Sequence, residues 1–385
     1  MSGAFRRGDH YDVAFAGAGL AGLSLAVRLA ALPDPPRIAL IDPRSNPPRD
    51  RTWCHWQLHE HPFTAAVTHR WYHWEVCGMN RPAAARRSPH PYTRIPSDRF
   101  FQVAAGKLSD LSHVQFYNGC SVAHMDESPD GAILHLTDGR TICSDWVFDS
   151  RPVLNGNAPW RQIFRGLELH SNAANLNKEK VTLMDFVSAG GEGIRFFYVL
   201  PLDAHTALVE DTWLVHGGQT PPLNNESILN YAREKLAPVD WTIQHQEEGN
   251  LPMGLTPPNR FPLPRNHHPR IIPWGTPAGA LRASSGYAFS RIQRASDRMT
   301  AAWQKNGRPD PACVRESPLL DRMDRVFLRA MARHPEQAPD FFRRLFDRVP
   351  PGALIRFLES EPLAADLWHV MRALPAAPFL AAAIR

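Results

Sequence analysis

The sequence contains no long apolar run. Nowhere do its 385 residues approach the ~18 consecutive apolar residues of a membrane-spanning helix. Cysteine is scarce: Cys54, Cys77, Cys120, Cys143 and Cys313 are odd in number, widely spaced, and form no CxxC pair. A disulfide framework and a zinc site are therefore not expected, and a reducing compartment is. The 18 histidines form no HExxH or comparable spacing. The NHHP stretch at 266–269 reads as a loop, and no metal site is expected. The opening stretch, MSGAFRRGDHYDVAFAG, has basic residues but no apolar h-region, so no signal peptide is expected. No internal repeat is visible. Neither sign of charge dominates: 43 basic against 38 acidic residues give +5 and a pI near 9.1. That excess shows no tight patch with a recognition motif, so nucleic acid is not an expected partner. Peripheral contact with an anionic membrane stays open. Nothing signals an oligomeric state.

What is present is a globular composition, 43% hydrophobic and 10% aromatic, enough for a sizeable core. The length allows two or three domains or one large composite. The most informative segment is YDVAFAGAGLAGLSLAVRLAALPDPPRIALIDP. A short apolar strand runs into a glycine-rich turn, a small-residue helix follows, and a second apolar strand ends in Asp42. Gly17-Ala18-Gly19-Leu20-Ala21-Gly22 is GxGxxG at the strand-to-helix junction. Gly17 allows the tight turn, Gly19 a close approach of backbone to a pyrophosphate, and Gly22 close helix–strand packing. The N-terminus of the helix, at Leu20 and Ala21, offers free N–H groups to phosphates. Asp42 lies where a carboxylate can take a ribose hydroxyl. That acid disfavours a 2′-phosphate and leaves FAD or NAD. Strands then intervene before a late glycine turn, Gly275 to Gly279, that leads into another helix. A domain assembled from separated segments favours FAD, with the late helix approaching the flavin.

Between these turns, VTLMDF, GIRFFYVLP and TALVEDTWL read as successive strands of a mostly antiparallel sheet. PSDRFFQVAAGKL reads as a helix with Ser97 as its N-cap. Beyond about residue 311 the chain looks all-helical. The expected segments are 1–70, 96–155 and 261–310 for the nucleotide domain, 71–95 and 156–260 for the substrate domain, and 311–385 for a helical C-terminal region.

With these residues in view, the chain resembles the flavin-dependent lycopene cyclase family, specifically the bacterial lycopene β-cyclase type. The resemblance rests on GAGLAG with Asp42, DRTWCHW at 50–56, FDSRP at 148–152, LVEDT at 208–212, ASSGYAFSRIQ at 283–293, and the helical tail. There are two departures. His55 stands where the family often has Phe, and Trp274-Gly275-Thr276 lacks the acid that many related flavoproteins carry at the late turn. The resemblance implies an α/β (α+β) fold: a Rossmann-like FAD domain of the p-hydroxybenzoate hydroxylase type, an antiparallel substrate domain, and a helical C-terminal part. It also implies reduced FAD used without net redox change, NAD(P)H as electron source, and lycopene or another acyclic carotenoid as substrate. A redox flavoenzyme of the same fold and a non-catalytic carotenoid-binding flavoprotein remain alternatives.

LVEDT carries two adjacent acids inside an apolar strand. Closing a ring on a polyene end needs an acid, a base and a dry pocket. Strand alternation puts Glu210 and Asp211 on opposite faces. Glu210 is then the expected acid/base, and Asp211 a supporting residue from the other face, paired with an arginine. Ion pairing of both acids at a strand edge is the bland alternative. Arg51 can contact the flavin or its phosphates, or hold a loop by a salt bridge. Trp53, Trp56, Trp71 and Trp74 can line a polyene tunnel or pack in the core. The arginine-rich C-terminal helices suggest membrane contact.

Overall fold

The structure is a computed structural model. It describes residues 10–46, 48–79, 81–152, 158–254 and 269–384; most of the NHHP stretch lies outside them. In chain order the main elements are β1 (His10–Ala16), α1 (Leu20–Ala30), β2 (Ile38–Asp42), β3 (Thr52–Trp56), β4 (His69–Gly78), β5 (Arg81–Pro96) and α2 (Ser97–Leu108). Then come β6 (Val114–Asn118), β7 (Val122–Ser128), β8 (Gly131–Leu136), β9 (Thr141–Asp149), β10 (Trp160–His170), β11 (Lys180–Gly190), β12 (Gly193–Pro201) and β13 (Thr206–His216). The chain continues through α3 (Asn225–Tyr231), β14 (Thr242–Met253), β15 (Ile271–Pro273) and α4 (Phe289–Asn306). It ends in α5 (Pro318–Arg333), α6 (Ala338–Arg348), α7 (Pro351–Leu358), α8 (Ala364–Ala373) and α9 (Ala376–Ala383).

Two sheets organise these elements. The smaller has the order β6-β2-β1-β9-β8-β7, with β15 also on β9. Its centre is parallel: β1 pairs with β2 and β9, and β2 with β6. β1 and β2 are almost wholly buried because α1, α2 and α4 cover one face and Val122, Leu134 and Leu136 of β7 and β8 pack on the other. Parallel strands with both faces covered read as continuous apolar runs, which is why this unit was visible in the sequence.

The larger sheet has the order β14-β10-β13-β12-β11-β4-β5-β3 and is antiparallel except for the β4–β11 pair. One face packs against α5 to α8 through Phe327, Phe341, Phe342, Leu345 and Phe346. The other is covered around α3 by Ile228, Tyr231 and Trp241. β13 is central and buried on both faces.

Two expectations change here, and for three tryptophans one of the two stated alternatives holds. β3 (52–56) belongs to the larger sheet, so the chain leaves the nucleotide unit well before 70. Ser97 does not cap α2; Pro96 precedes the helix, and the Ser97 hydroxyl donates to Pro48 O and accepts from Asp50 N–H. The hydroxyl thus secures the 48–51 segment. Trp56, Trp71 and Trp74 are core residues, at 0%, 3% and 0% exposure. Trp74 meets Phe346, and Trp71 donates to Pro201 O.

Candidate active site

A cavity of about 1760 Å³ runs from the glycine-rich turn, past β13, to the C-terminal helices. Gly17, Gly19, Leu20, Ala21 and Asp42 line its first end. Gly17 takes φ +101°, a left-handed conformation that a side chain would strain. The Ser150 hydroxyl of the FDSRP stretch donates to Gly17 O at 2.8 Å. A Cβ on Gly22 would fall 2.3 Å from Gly17 O, so that glycine is there for packing. A Cβ on Gly19 would meet only Arg44, at 3.9 Å, which leaves its surroundings open. No side chain caps α1 and no acid lies in its first turn. Its free N–H groups fit an anionic group at that end.

Asp42 differs from expectation. Oδ1 accepts from the backbone N–H and Nε–H of Arg44, and Oδ2 from Ala18 N–H and Arg44 Nη2–H, at 2.7 to 3.0 Å. All four acceptor positions of the carboxylate are in use, so a ribose hydroxyl reaching Asp42 would have to replace Arg44. Arg51 also faces the cavity but is paired with Asp50 at 2.7 and 3.0 Å. At the late turn, Gly275 (φ +70°) and Gly279 (φ +81°) shape the backbone, while Thr276 and Pro277 face the cavity. A Cβ on Gly275 would lie 2.5 Å from Ala21 Cβ, and Trp274 Nε1–H donates to Ala21 O. Gly275 and the Trp274 indole therefore hold the late turn against the start of α1. Tyr287, Ala288, Phe289 and Ile292, at the start of α4, line the cavity beside them.

Glu210 and Asp211 part as strand alternation requires. Asp211 is fully buried on the α3 side, where Arg195 grips both carboxylate oxygens at 2.8 and 2.7 Å and Ser227 donates to Oδ2 at 2.6 Å. Glu210 opens on the cavity. Its neighbour across β10 is Gly166, and across Gly166 stands Glu247 of β14. A Cβ on Gly166 would lie 3.0 Å from Glu210 Cγ and 3.1 Å from Glu247 Cγ. The missing side chain is the space in which the two carboxyls meet. Burial first, then the Glu247 charge and the bond to it, holds the Glu210 carboxyl well above the ordinary carboxylate range, with Arg94 pulling the other way. Burial also raises Glu247, against bonds from Thr52 and Glu210 and the Arg94 charge. Desolvation plus a like charge keeps a proton on such a pair.

On β12, Tyr198 stands opposite Glu210. Its hydroxyl donates to Tyr92 at 3.0 Å, and Tyr92 and Tyr287 hydroxyls lie 3.4 Å apart. Cys54 lies beside Tyr198, and burial pushes its thiol up to about 12. His55, the departure from the family block, is 2% exposed and stacked on Phe289 at 4.3 Å. Burial, then the nearby His61, holds it well below its usual value, so it packs as a neutral ring. Of the four tryptophans, Trp53 reaches the cavity, and Phe100 and Phe101 flank it. Among the described residues one group of potential metal donors occurs, His124, Asp126 and His135 on the β7–β8 hairpin, and none of them lines the cavity.

Glu247, Gly166 and Tyr198 were not picked out from the sequence. β14 is a polar edge strand whose burial alternates irregularly, so QHQEEGN carries no strand signature. The adjacent acids Glu247-Glu248 were the available signal.

The fold is that of flavin-dependent oxidoreductases. The geranylgeranyl bacteriochlorophyll reductase-like protein of Thermoplasma acidophilum superposes with a TM-score of 0.59 at 11% identity, over 95% of this chain and 96% of that one. The flavin-dependent brominase Bmp2 gives 0.57 at 12%, over 94% and 97%. The flavin-dependent monooxygenase PieE, solved with FAD and substrate, gives 0.55 at 16%, over 97% and 72%. The family described as lycopene cyclase protein matches residues 12–384, and the chain belongs to it. Lycopene β-cyclases of Pantoea ananas and of a Paracoccus species are 26% and 25% identical to it. Each match covers 97% of this chain, and 97% and 96% of those relatives respectively.

Proposed function

We propose that the chain is a lycopene β-cyclase that closes β-rings on the ends of an acyclic carotenoid by acid/base catalysis without net redox change. The observation that carries this reading is the buried Glu210 carboxyl, beside Glu247 and held well above the ordinary carboxylate range by burial, opening on an apolar cavity continuous with the glycine-rich turn. Family membership supplies the reaction class. The cavity exceeds the roughly 300–1,000 Å³ of a single small-ligand pocket, which leaves room for a cofactor and a second molecule. FAD fits the first end: Gly17, Gly19, Leu20, Ala21 and the free N–H groups of α1 would hold its phosphates. When bound and reduced, with NAD(P)H as the electron donor, the flavin would supply electron density that favours developing positive charge.

The chain's own residues do the rest. Glu210 donates a proton to C2 of the terminal C1=C2 bond, leaving a cation at C1. The C5=C6 bond attacks it and closes the six-membered ring. The cation now at C5 is quenched when C6 loses a proton to the carboxyl group that began the step. Tyr92, Tyr198 and Tyr287 line the cavity, and aromatic rings there favour positive charge; Phe327, Phe342 and Phe346 keep water away from it.

The remaining end of the cavity supports contact with a membrane. Leu319, Leu363, Trp368, Met371, Leu380 and Ile384 are large apolar residues left exposed, and Leu319, Met371 and Leu380 also line the cavity. A polyene that water does not dissolve could enter there from lipid. No helix of the described residues is long and apolar enough to cross a membrane. The arginine-rich α5 and α6, first read as the membrane face, turn their apolar sides into the core.

Expression in a lycopene-accumulating host tests the proposal. The expected pigment has unchanged mass, shifted absorption and altered retention, and it forms anaerobically once the flavin is reduced. Oxygen consumed in proportion to product, or lycopene left unconverted by flavin-loaded protein, would overturn it.

A further inference from the structure

Glu247 has no place in the account of Glu210 as a lone acid. It is 4% exposed and does not line the cavity. Thr52 donates to its Oε2 at 3.0 Å. Its Oε1 is buried with no donor from the protein's ordinary N–H and O–H groups. Leaving a buried carboxylate oxygen unsatisfied is costly. Two ionised carboxylates cannot satisfy each other, since both only accept. A proton carried by Glu210 can, and Gly166 clears the space for that contact.

The other groups around the pair favour one net negative charge. Arg94, 4% exposed, spends Nη2 on Glu168, while its Nε has no partner. Arg49 also binds Glu168, so the nearby Glu168 charge is already balanced. Tyr198, Cys54 and His245 complete the titratable surroundings. Burial holds Tyr198 and Cys54 in their neutral forms. Arg94 can therefore offset one carboxylate of the pair, and not both.

We propose that Glu247 is a positioning residue that shares a single proton with Glu210, so that the pair, and not Glu210 alone, lends the proton for ring closure and takes one back. This rests on the cyclase reading above. The balance closes. One proton leaves the pair and bonds to C2 through the C1=C2 electrons. The C5=C6 electrons form the C1–C6 bond. The C6–H electrons become the new C5=C6 bond, and that proton returns to the pair. Between departure and return, two carboxylates face each other across Gly166. Their repulsion makes the pair a stronger base at the moment a base is needed.

The test is Glu247→Gln in the flavin-loaded protein, which keeps the shape and removes the charge. The expected result is kcat lowered about ten-fold or more with KM little changed. The alkaline limb of the pH–rate profile should move down by about one to two pH units, because Glu210 loses the neighbouring charge that helps hold its proton. Glu247→Asp, which keeps the charge, should recover part of the rate. Gly166→Ala, which keeps both acids but crowds them apart, should reproduce the loss and covers the case in which Glu247→Gln fails to fold. Wild-type kcat and an unmoved alkaline limb in folded Glu247→Gln would overturn the sharing. So would wild-type behaviour of Gly166→Ala. A wild-type protein that forms no ring would instead defeat the underlying cyclase reading.

Discussion

Adjacent residues of β13 do different work because a strand alternates. Asp211 holds β13 to Arg195 of β12 and Ser227 of α3. Asp211→Asn should therefore cost stability, about 1–3 kcal/mol for a buried hydrogen-bonded charge lost beside a partly exposed arginine. Its rate per folded, flavin-bound molecule should stay near wild type. Denaturant melts beside pigment assays separate the two. His55 gives a second residue-scale expectation. Its folded-state pKa is depressed by burial, so the unfolded chain binds the proton more readily. Its contribution is complete above the unfolded value, near 6.5, and falls away as pH drops below it. His55→Phe should flatten the loss of thermal stability between about pH 6.5 and 5. An unchanged slope would mean that other groups, His61 foremost, carry the acid sensitivity.

At the scale of elements, the site exists because three strands align one face. β13 supplies Glu210, β10 supplies the gap at Gly166, and β14 supplies Glu247. Gly166→Ala should leave the sheet folded and flavin bound, yet lower ring formation about ten-fold by separating the carboxyls. Flavin absorbance and product yield measured on one sample check this. The same alignment explains how much was legible in the sequence. The β1–α1–β2 unit was readable because burial on both faces makes parallel strands apolar and the turn demands glycines. β13 was readable because two charges interrupt an apolar run. β14 was not, because it is a sheet edge of irregular burial, and β10 was not, because its burial is mixed; register between distant strands leaves no local trace. Asp42 was placed correctly at the end of β2, but Arg44, two residues on, decides what its carboxylate binds.

Across the whole molecule, one cavity joins the glycine-rich turn, the Glu210 carboxyl and an exposed apolar rim. The rim belongs to the start of α5 and to the α8–α9 end, and not to the arginine-rich stretches that first suggested a membrane surface. Replacing Leu363, Trp368 and Ile384 together by Ser, exposed residues that do not line the cavity, should weaken co-sedimentation with anionic liposomes about ten-fold or more, while conversion of detergent-dispersed substrate persists. Unchanged sedimentation would move the membrane face elsewhere. The central claim is that Glu210 supplies the proton that starts ring closure. The most direct test gives Glu210→Gln protein, with wild-type flavin content and the flavin reduced, lycopene in the absence of oxygen. The account predicts that the carotenoid is recovered acyclic. Rings formed at the wild-type rate would contradict it.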